Sequence, residues 1–324
     1  MKKLIPIAVA TALLLTACGS GNYAATQIPA EPAPPQASTA PTTTTPCSKV
    51  GELASYAPDA NTPAPGGVMP AGSTMAKIKA RGRLIAGVSA DSLHLGSRNP
   101  LTGQIEGFDI DMIYMVADAI FGPPGPGEPH KVELRVISSP QRIPVLENGS
   151  VDIVARNMTI NCARWQLIAF SAEYYRSGQK TLVQRDSTAK STADLSGQTI
   201  CAPAGSTSLD NLKKKNPAVK PITADSDTGC LVLFQQGKAQ GISGDDTVLA
   251  GDKAQDPYAK ILPERFSDEP YGLGIKKENV DFVRFVNAAL AQMKASGAWM
   301  TSYNKWLGTD LGKLPAPPTP VYGR

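Results

Sequence analysis

The sequence predicts an α/β fold with mainly parallel strands. Three observations carry this expectation: short apolar runs alternate with helical patterns, the first of them close a βαβαβ unit, and a second such unit follows it. At 324 residues the chain is long enough for about two domains. Arg83-Leu-Ile-Ala-Gly-Val88 reads as the first strand. Over 108–121, Ile110, Ile113, Val116, Ala117 and Ile120 recur at helical spacing, and Asp109 and Asp111 suit the positive end of the helix dipole. A Gly-Pro loop at 122–129 stops that helix. Val132-Glu-Leu-Arg-Val-Ile137 is the second strand, a helix ending at Asn148-Gly149 follows, and Val151-Asp-Ile-Val-Ala155 is the third strand. The second unit opens at 198–202, passes a Gly-Ser-Thr-Ser helix start at 205–208 and continues to 239–243. Helical patterns at about 278–296 and 299–307 close the body.

Composition narrows the function. The 42% hydrophobic and 19% charged fractions are ordinary for a globular chain, and 32 basic against 28 acidic residues, dispersed along the sequence, leave no electrostatic footprint for nucleic acid. Two histidines argue against a His-built metal site. The sequence contains no Gly-x-x-x-x-Gly-Lys phosphate loop and no Ser/His nucleophile arrangement. Gly272-x-Gly274 lacks the third glycine of a dinucleotide fingerprint. His94 and His130 fall in predicted loops and read as surface residues. Neither enzyme activity nor a cofactor or metal is expected.

The two ends differ from the body. Met-Lys-Lys, an apolar run over 4–15, and then Leu15-Thr-Ala-Cys18-Gly read as a lipoprotein signal peptide, residues 1–17, with Cys18 as the lipidated residue. The apolar run is too short to span a bilayer. Residues 18–74 are rich in Pro and Thr and poor in large apolar residues, which predicts an extended tether with a short ordered patch near Cys47. Residues 315–324 read as a short polar tail.

A set of motifs then resembles a known family. It comprises Gly107-Phe-Asp-Ile-Asp111, Arg142-Ile-Pro-Val-Leu-Glu-Asn-Gly149, Val151-Asp-Ile-Val154, Met158-Thr-Ile160 with Arg164, and Phe170-Ser-Ala-Glu-Tyr-Tyr175. It continues with Asp194-Leu-Ser-Gly197, Ala204-Gly-Ser-Thr-Ser208, Gly244-Asp-Asp-Thr-Val-Leu-Ala-Gly251, Pro270-Tyr-Gly-Leu-Gly274 and Gly297-Ala-Trp-Met-Thr-Ser-Tyr-Asn-Lys-Trp306. In order and spacing these resemble the polar amino-acid substrate-binding proteins of ATP-driven importers, solute-binding protein family 3, and within it the glutamate-binding lipoproteins of actinobacteria. The resemblance implies the type II periplasmic-binding-protein fold, two α/β lobes joined by a two-strand hinge, with the crossings near 173–179 and 268–272. Lobe 1 is then 75–176 plus 270–314, and lobe 2 is 177–269. It also implies a monomer, lipid-anchored on the outer face of the cytoplasmic membrane, in the periplasm or cell-wall space. Its partners would be a free amino acid and an ABC permease. A membrane signalling partner in place of the permease, and a cyclic-acid dehydratase on the same fold, are the alternatives.

The same resemblance assigns the site. Arg164 would fork onto the ligand's α-carboxylate, helped by Thr159 and the backbone at Asn157, where the family usually has Gly. Ser206 and Thr207 stand at a predicted helix N-terminus whose amides suit a carboxylate, an ordinary N-cap being the alternative. Asp245 matches the acid that pairs with the α-ammonium, with Asp246 as its local rival. Ser92 and Ser139 replace the aromatic pair of the glutamine-binding branch, which implies a more polar pocket. Arg142 resembles the arginine that meets a distal carboxylate, and Arg98 occurs in a similar setting. The set points to glutamate or aspartate first, then glutamine or asparagine. Beyond Cys18, four cysteines in an exported chain suggest two disulfides, for which three connectivities exist. The resemblance pairs Cys201 with Cys230 and leaves Cys47 with Cys162.

Overall fold

A computed structural model describes residues 49–324 apart from 315. The predicted leader, Cys18 and Cys47 lie outside the described residues. The chain runs through β1 (Leu84–Val88), β2 (Asp91–Ser92), β3 (Gly96–Arg98), β4 (Ile105–Glu106), β5 (Val132–Val136), β6 (Ile153–Ala155) and β7 (Ile168–Phe170). It continues through β8 (Tyr175–Gln184), β9 (Thr199–Pro203), β10 (Lys220–Ala224), β11 (Gly241–Asp245), β12 (Ala259–Ile261), β13 (Ser267–Tyr271) and β14 (Gly274–Lys276).

The first sheet has the order β5-β1-β6-β14-β7, with β1 parallel to both neighbours and β14 antiparallel to both of its own. All five residues of β1 are buried, which is why its sequence is a continuous apolar run rather than an alternating one. The helix Phe108–Phe121 covers this sheet with Phe108, Ile110, Ile113, Val116 and Ile120. It starts at Gly107, whose φ of +144° and a Cβ position only 2.4 Å from the Leu95 backbone admit no side chain. Asp109 and Asp111 stand in its first turn, as the sequence predicts, and Asp109 has a second role. It is buried, accepts from the Tyr174 hydroxyl at 2.7 Å and from the Asn157 amide at 2.8 Å, and burial pushes its carboxyl up to about 6. The small sheet β2-β3-β4 lies off the first sheet's path.

The second sheet has the order β10-β9-β11-β8-β12. It is mixed rather than mainly parallel, because β8 is antiparallel to β11, β12 and β13. Leu182, Phe234, Ile242 and Leu249 pack around the Cys201–Cys230 disulfide, which joins β9 to the helix Asp227–Gln235. β8 and β13 pair from Tyr175↔Tyr271 to Ser267↔Gln179 and link the two layers. Two α/β lobes joined by these two strands constitute the type II periplasmic-binding-protein fold.

The terminal segments correct the sequence reading. Ser55, inside the predicted tether, is fully buried: it donates to the Phe170 carbonyl at 2.8 Å and accepts from Asn287 at 2.9 Å. The predicted tail lies alongside it, with the Ser55 amide donating to Val321 and a parallel bridge from Ser55 to Tyr322. Arg324 donates to the carbonyls of Ala54 and Gly51 at 2.7 Å each and lies 3.9 Å over the Trp165 ring. The Trp165 indole donates to the Glu52 carbonyl at 2.8 Å, and the Glu52 carboxylate accepts from the Cys162 amide at 3.1 Å. Composition shows only that such segments cannot build a core of their own; it does not forbid docking onto another. Cys162 is itself disulfide-bonded. Arg324→Ala is expected to remove two hydrogen bonds and a cation–π contact, lowering Tm by about 2–4 °C, as a melting curve would show. An unchanged Tm would mean that the clasp adds nothing to stability.

Candidate functional site

The lobes face each other across a narrow cavity of about 10 Å³, walled by Ser139, Arg142 and Asn157 on one side and by residues 206–208, Asp227 and Asp245 on the other. Arg142 sits in the turn before the short helix Pro144–Glu147. Its Nε donates to Ser139 O at 2.9 Å, its Nη1 to the carbonyls of Arg156 and Asn157 at 3.1 and 3.3 Å, and its Nη2 to Gly205 O at 3.3 Å. Arg164 rides on the turn Cys162–Trp165, which Asn161 caps by accepting from the Arg164 amide at 2.8 Å. Its Nη1 donates to Thr159 O at 2.7 Å and its Nη2 reaches Gly205 O at 3.5 Å.

Two guanidinium groups, 4% and 7% exposed, therefore converge on one carbonyl. Neither has a carboxylate within 4.0 Å among the described residues. Burial lowers the Arg142 pKa to about 9, and the charges of Arg164 and Arg156 add to the effect. Burial also lowers that of Arg164, against the opposing pull of Glu269 and Asp245. Both are cations in want of an anion.

Asp245, at the end of β11 and the start of the helix Asp246–Gln255, is buried on the opposite wall. It accepts from the Tyr271 hydroxyl at 2.7 Å and from Ser208 at 3.3 Å, and burial, followed by the charge of Glu269, holds its carboxyl well above the usual range. Its rival Asp246 accepts from Ser177 at 2.6 Å and does not wall the cavity. Thr159 and Thr207, one from each lobe, stand 3.2 Å apart, and each donates to Glu269 at 2.7 Å. The Ser206 side chain serves as a helix cap, accepting from the Leu209 amide at 3.1 Å and donating to Pro203 O at 2.6 Å. Asn157 has φ +39°, a conformation that suits the glycine usual in the family and that Asn tolerates.

Arg98 is exposed, does not line the cavity, and donates to Gly103 O at 2.6 Å within its own hairpin. Glu269, Arg156 and Asp227 are additions. Glu269 is buried on β13 and also accepts from Asn211 at 2.8 Å and Ser267 at 2.6 Å. Arg156 is 1% exposed and bonds to Ser139 and the Ile137 carbonyl. Asp227 accepts from Ser92 at 2.7 Å across the lobes. Glu269 and Arg156 stand near motifs of the family, whereas Asp227 carries no local signal beyond that of a helix start. His130 pairs with Asp118 at 2.7 Å and stacks on Tyr114, and His94 meets Asp310 at 3.1 Å, both outside the cavity walls.

Two lobes joined by two strands, with the buried Arg142 on one wall of the cavity between them, Asp227 and Asp245 on the other, and Arg164 and Thr159 beside it but not lining it, have the arrangement of a solute-binding protein. The chain belongs to the bacterial extracellular solute-binding proteins, family 3, which match it over residues 84–309. It is similar to the glutamine-binding protein of Geobacillus stearothermophilus, at 38% identity over 213 residues, 65% of this chain and 79% of that one. It is also similar to the glutamate-binding protein GluB of Corynebacterium glutamicum, at 31% identity over 237 residues, 71% of this chain and 80% of that one. Among solved structures, an ancestral arginine-binding protein bound to glutamine matches with a TM-score of 0.65 and 32% identity, over 70% of this chain and 99% of that one. The two sequence relatives are named as binding proteins, not enzymes. No helix among the described residues is long and apolar enough to cross a membrane.

Proposed function

We propose that the chain is the amino-acid receptor of an ABC importer and that it takes glutamate or aspartate ahead of glutamine or asparagine. The names of its relatives support the class. The acidic preference rests on one observation: two buried guanidinium groups, those of Arg142 and Arg164, have no carboxylate within 4.0 Å among the described residues. A dicarboxylic amino acid carries the complementary set, two carboxylates and one ammonium.

In this reading the α-carboxylate lies on Arg164, with Thr159, the Asn157 backbone and the amides of Ser206 and Thr207 around it. Asp245 takes the α-ammonium, and Arg142 takes the distal carboxylate. The ligand joins the lobes, and binding favours the closed form by its differential affinity for it. Cys18 carries the lipid after removal of residues 1–17, and the segment from Cys18 leads a monomeric receptor from the outer face of the cytoplasmic membrane to its permease. A disulfide from Cys47 to Cys162 would fasten that segment beside Arg164, as would the neighbouring clasp at Glu52 and Arg324.

The test is a thermal-shift screen of the twenty amino acids. A ligand that binds only the native state at a hundred times its Kd stabilises it by about 2.7 kcal/mol, a shift of several degrees. Glutamate and aspartate should give the largest shifts. No response to any of the four acids and amides would refute the proposal.

A further inference from the structure

We propose that Asp227 is the protein's own counter-anion in the ligand cavity, and that its charge sets how evenly the site admits amides and acids. The inference rests on the amino-acid reading above and extends it to a residue outside the ligand-facing set. Asp227 is the first residue of the helix Asp227–Gln235 in the second lobe, and its side chain is 4% exposed on the cavity wall.

Every polar partner of its Oδ2 comes from the other lobe. Ser92 donates to it at 2.7 Å, Asn157 Nδ2 at 3.4 Å, and Arg156 Nη1 lies 3.7 Å away. Flanking contacts repeat the crossing, with Thr228 donating to Asp91 O at 2.6 Å and the Ser139 amide to Asp225 O at 3.0 Å. The carboxylate thus enters the cavity as the lobes close, next to Arg142 and Arg156.

Charge balance gives this placement a consequence. An acidic ligand neutralises Arg164 and Arg142 and uses Asp245 for its ammonium. An amide ligand satisfies Arg164 and Asp245 but leaves Arg142 buried with no ligand anion, which is costly unless the protein supplies one. Asp227 supplies a negative charge from the opposite wall of the same cavity. It therefore offsets part of the penalty for an amide, and by the same field it opposes a distal carboxylate.

The experiment is calorimetric titration of the full chain with glutamate and glutamine, comparing wild type with Asp227→Asn. The amide side chain keeps an acceptor for Ser92 and removes the charge. The glutamine-to-glutamate Kd ratio should rise by about tenfold or more. Asp227→Ser, which retains a helix-start residue, is the second variant should the first not fold, and it should shift the ratio in the same direction. A wild-type ratio in both folded variants, including equal weakening of the two ligands, would overturn the inference alone. Wild-type protein that binds neither amino acid would overturn the parent reading and the inference with it.

Discussion

Arg164→Ala should abolish amino-acid binding while the protein without ligand stays folded. In the proposed pose Arg164 meets the α-carboxylate, which every candidate ligand carries, so its loss should act on all of them. Truncating one partner of a buried, hydrogen-bonded charge pair costs about 2–5 kcal/mol, which at the upper end exceeds a thousandfold in Kd. Within the protein, the Arg164 guanidinium donates to the carbonyls of Thr159 and Gly205 and to no carboxylate among the described residues. Removing an unpaired buried charge is then neutral or stabilising, so the melting temperature without ligand should hold or rise. Calorimetric titration with glutamate and a ligand-free melt read the two effects separately. Retained affinity would remove Arg164 from the site, and a collapsed melt would make it a structural residue.

The second large effect is selective. Arg142→Ala should weaken glutamate and aspartate by about tenfold or more beyond any loss for glutamine and asparagine, because only the acids carry a distal carboxylate for it to meet. Arg142 also holds four backbone carbonyls, those of Ser139, Arg156, Asn157 and Gly205, so some loss common to all four ligands is expected. Titrations with the four amino acids separate the common part from the selective one. Equal losses for acids and amides would reduce Arg142 to a scaffold residue of the turn.

How much of this was legible in the sequence depends on whether the cause is local. β1 and the helix Phe108–Phe121 were readable because a continuous apolar run and a 3.6-residue period are local consequences of burial. Arg164, Thr159, Asn157 and Asp245 could be nominated from sequence because each stands in or beside a short family motif; of these, Asn157 and Asp245 line the cavity. Asp227 was not, since Ser226-Asp227 looks like any helix start and its partners lie on the other lobe. Glu269 was hidden in the same way: the pair Asp268-Glu269 gives no sign of which carboxylate turns inward, and only the strand pairing of β8 with β13 decides it. For Arg98, a similar sequence setting does not fix where a hairpin side chain goes, and here it bonds within its own hairpin. The terminal clasp was invisible because a segment without a core of its own can still be held by a buried serine and a stacked arginine.

The proposed binding mode is a pairing of charges, and a crystal structure of the protein with bound glutamate would show that pairing or its absence. It should show the α-carboxylate bidentate on Arg164, the ammonium within about 3.2 Å of Asp245, and the distal carboxylate on Arg142. A glutamate whose distal carboxylate points to solvent, or whose α-carboxylate avoids Arg164, would contradict it.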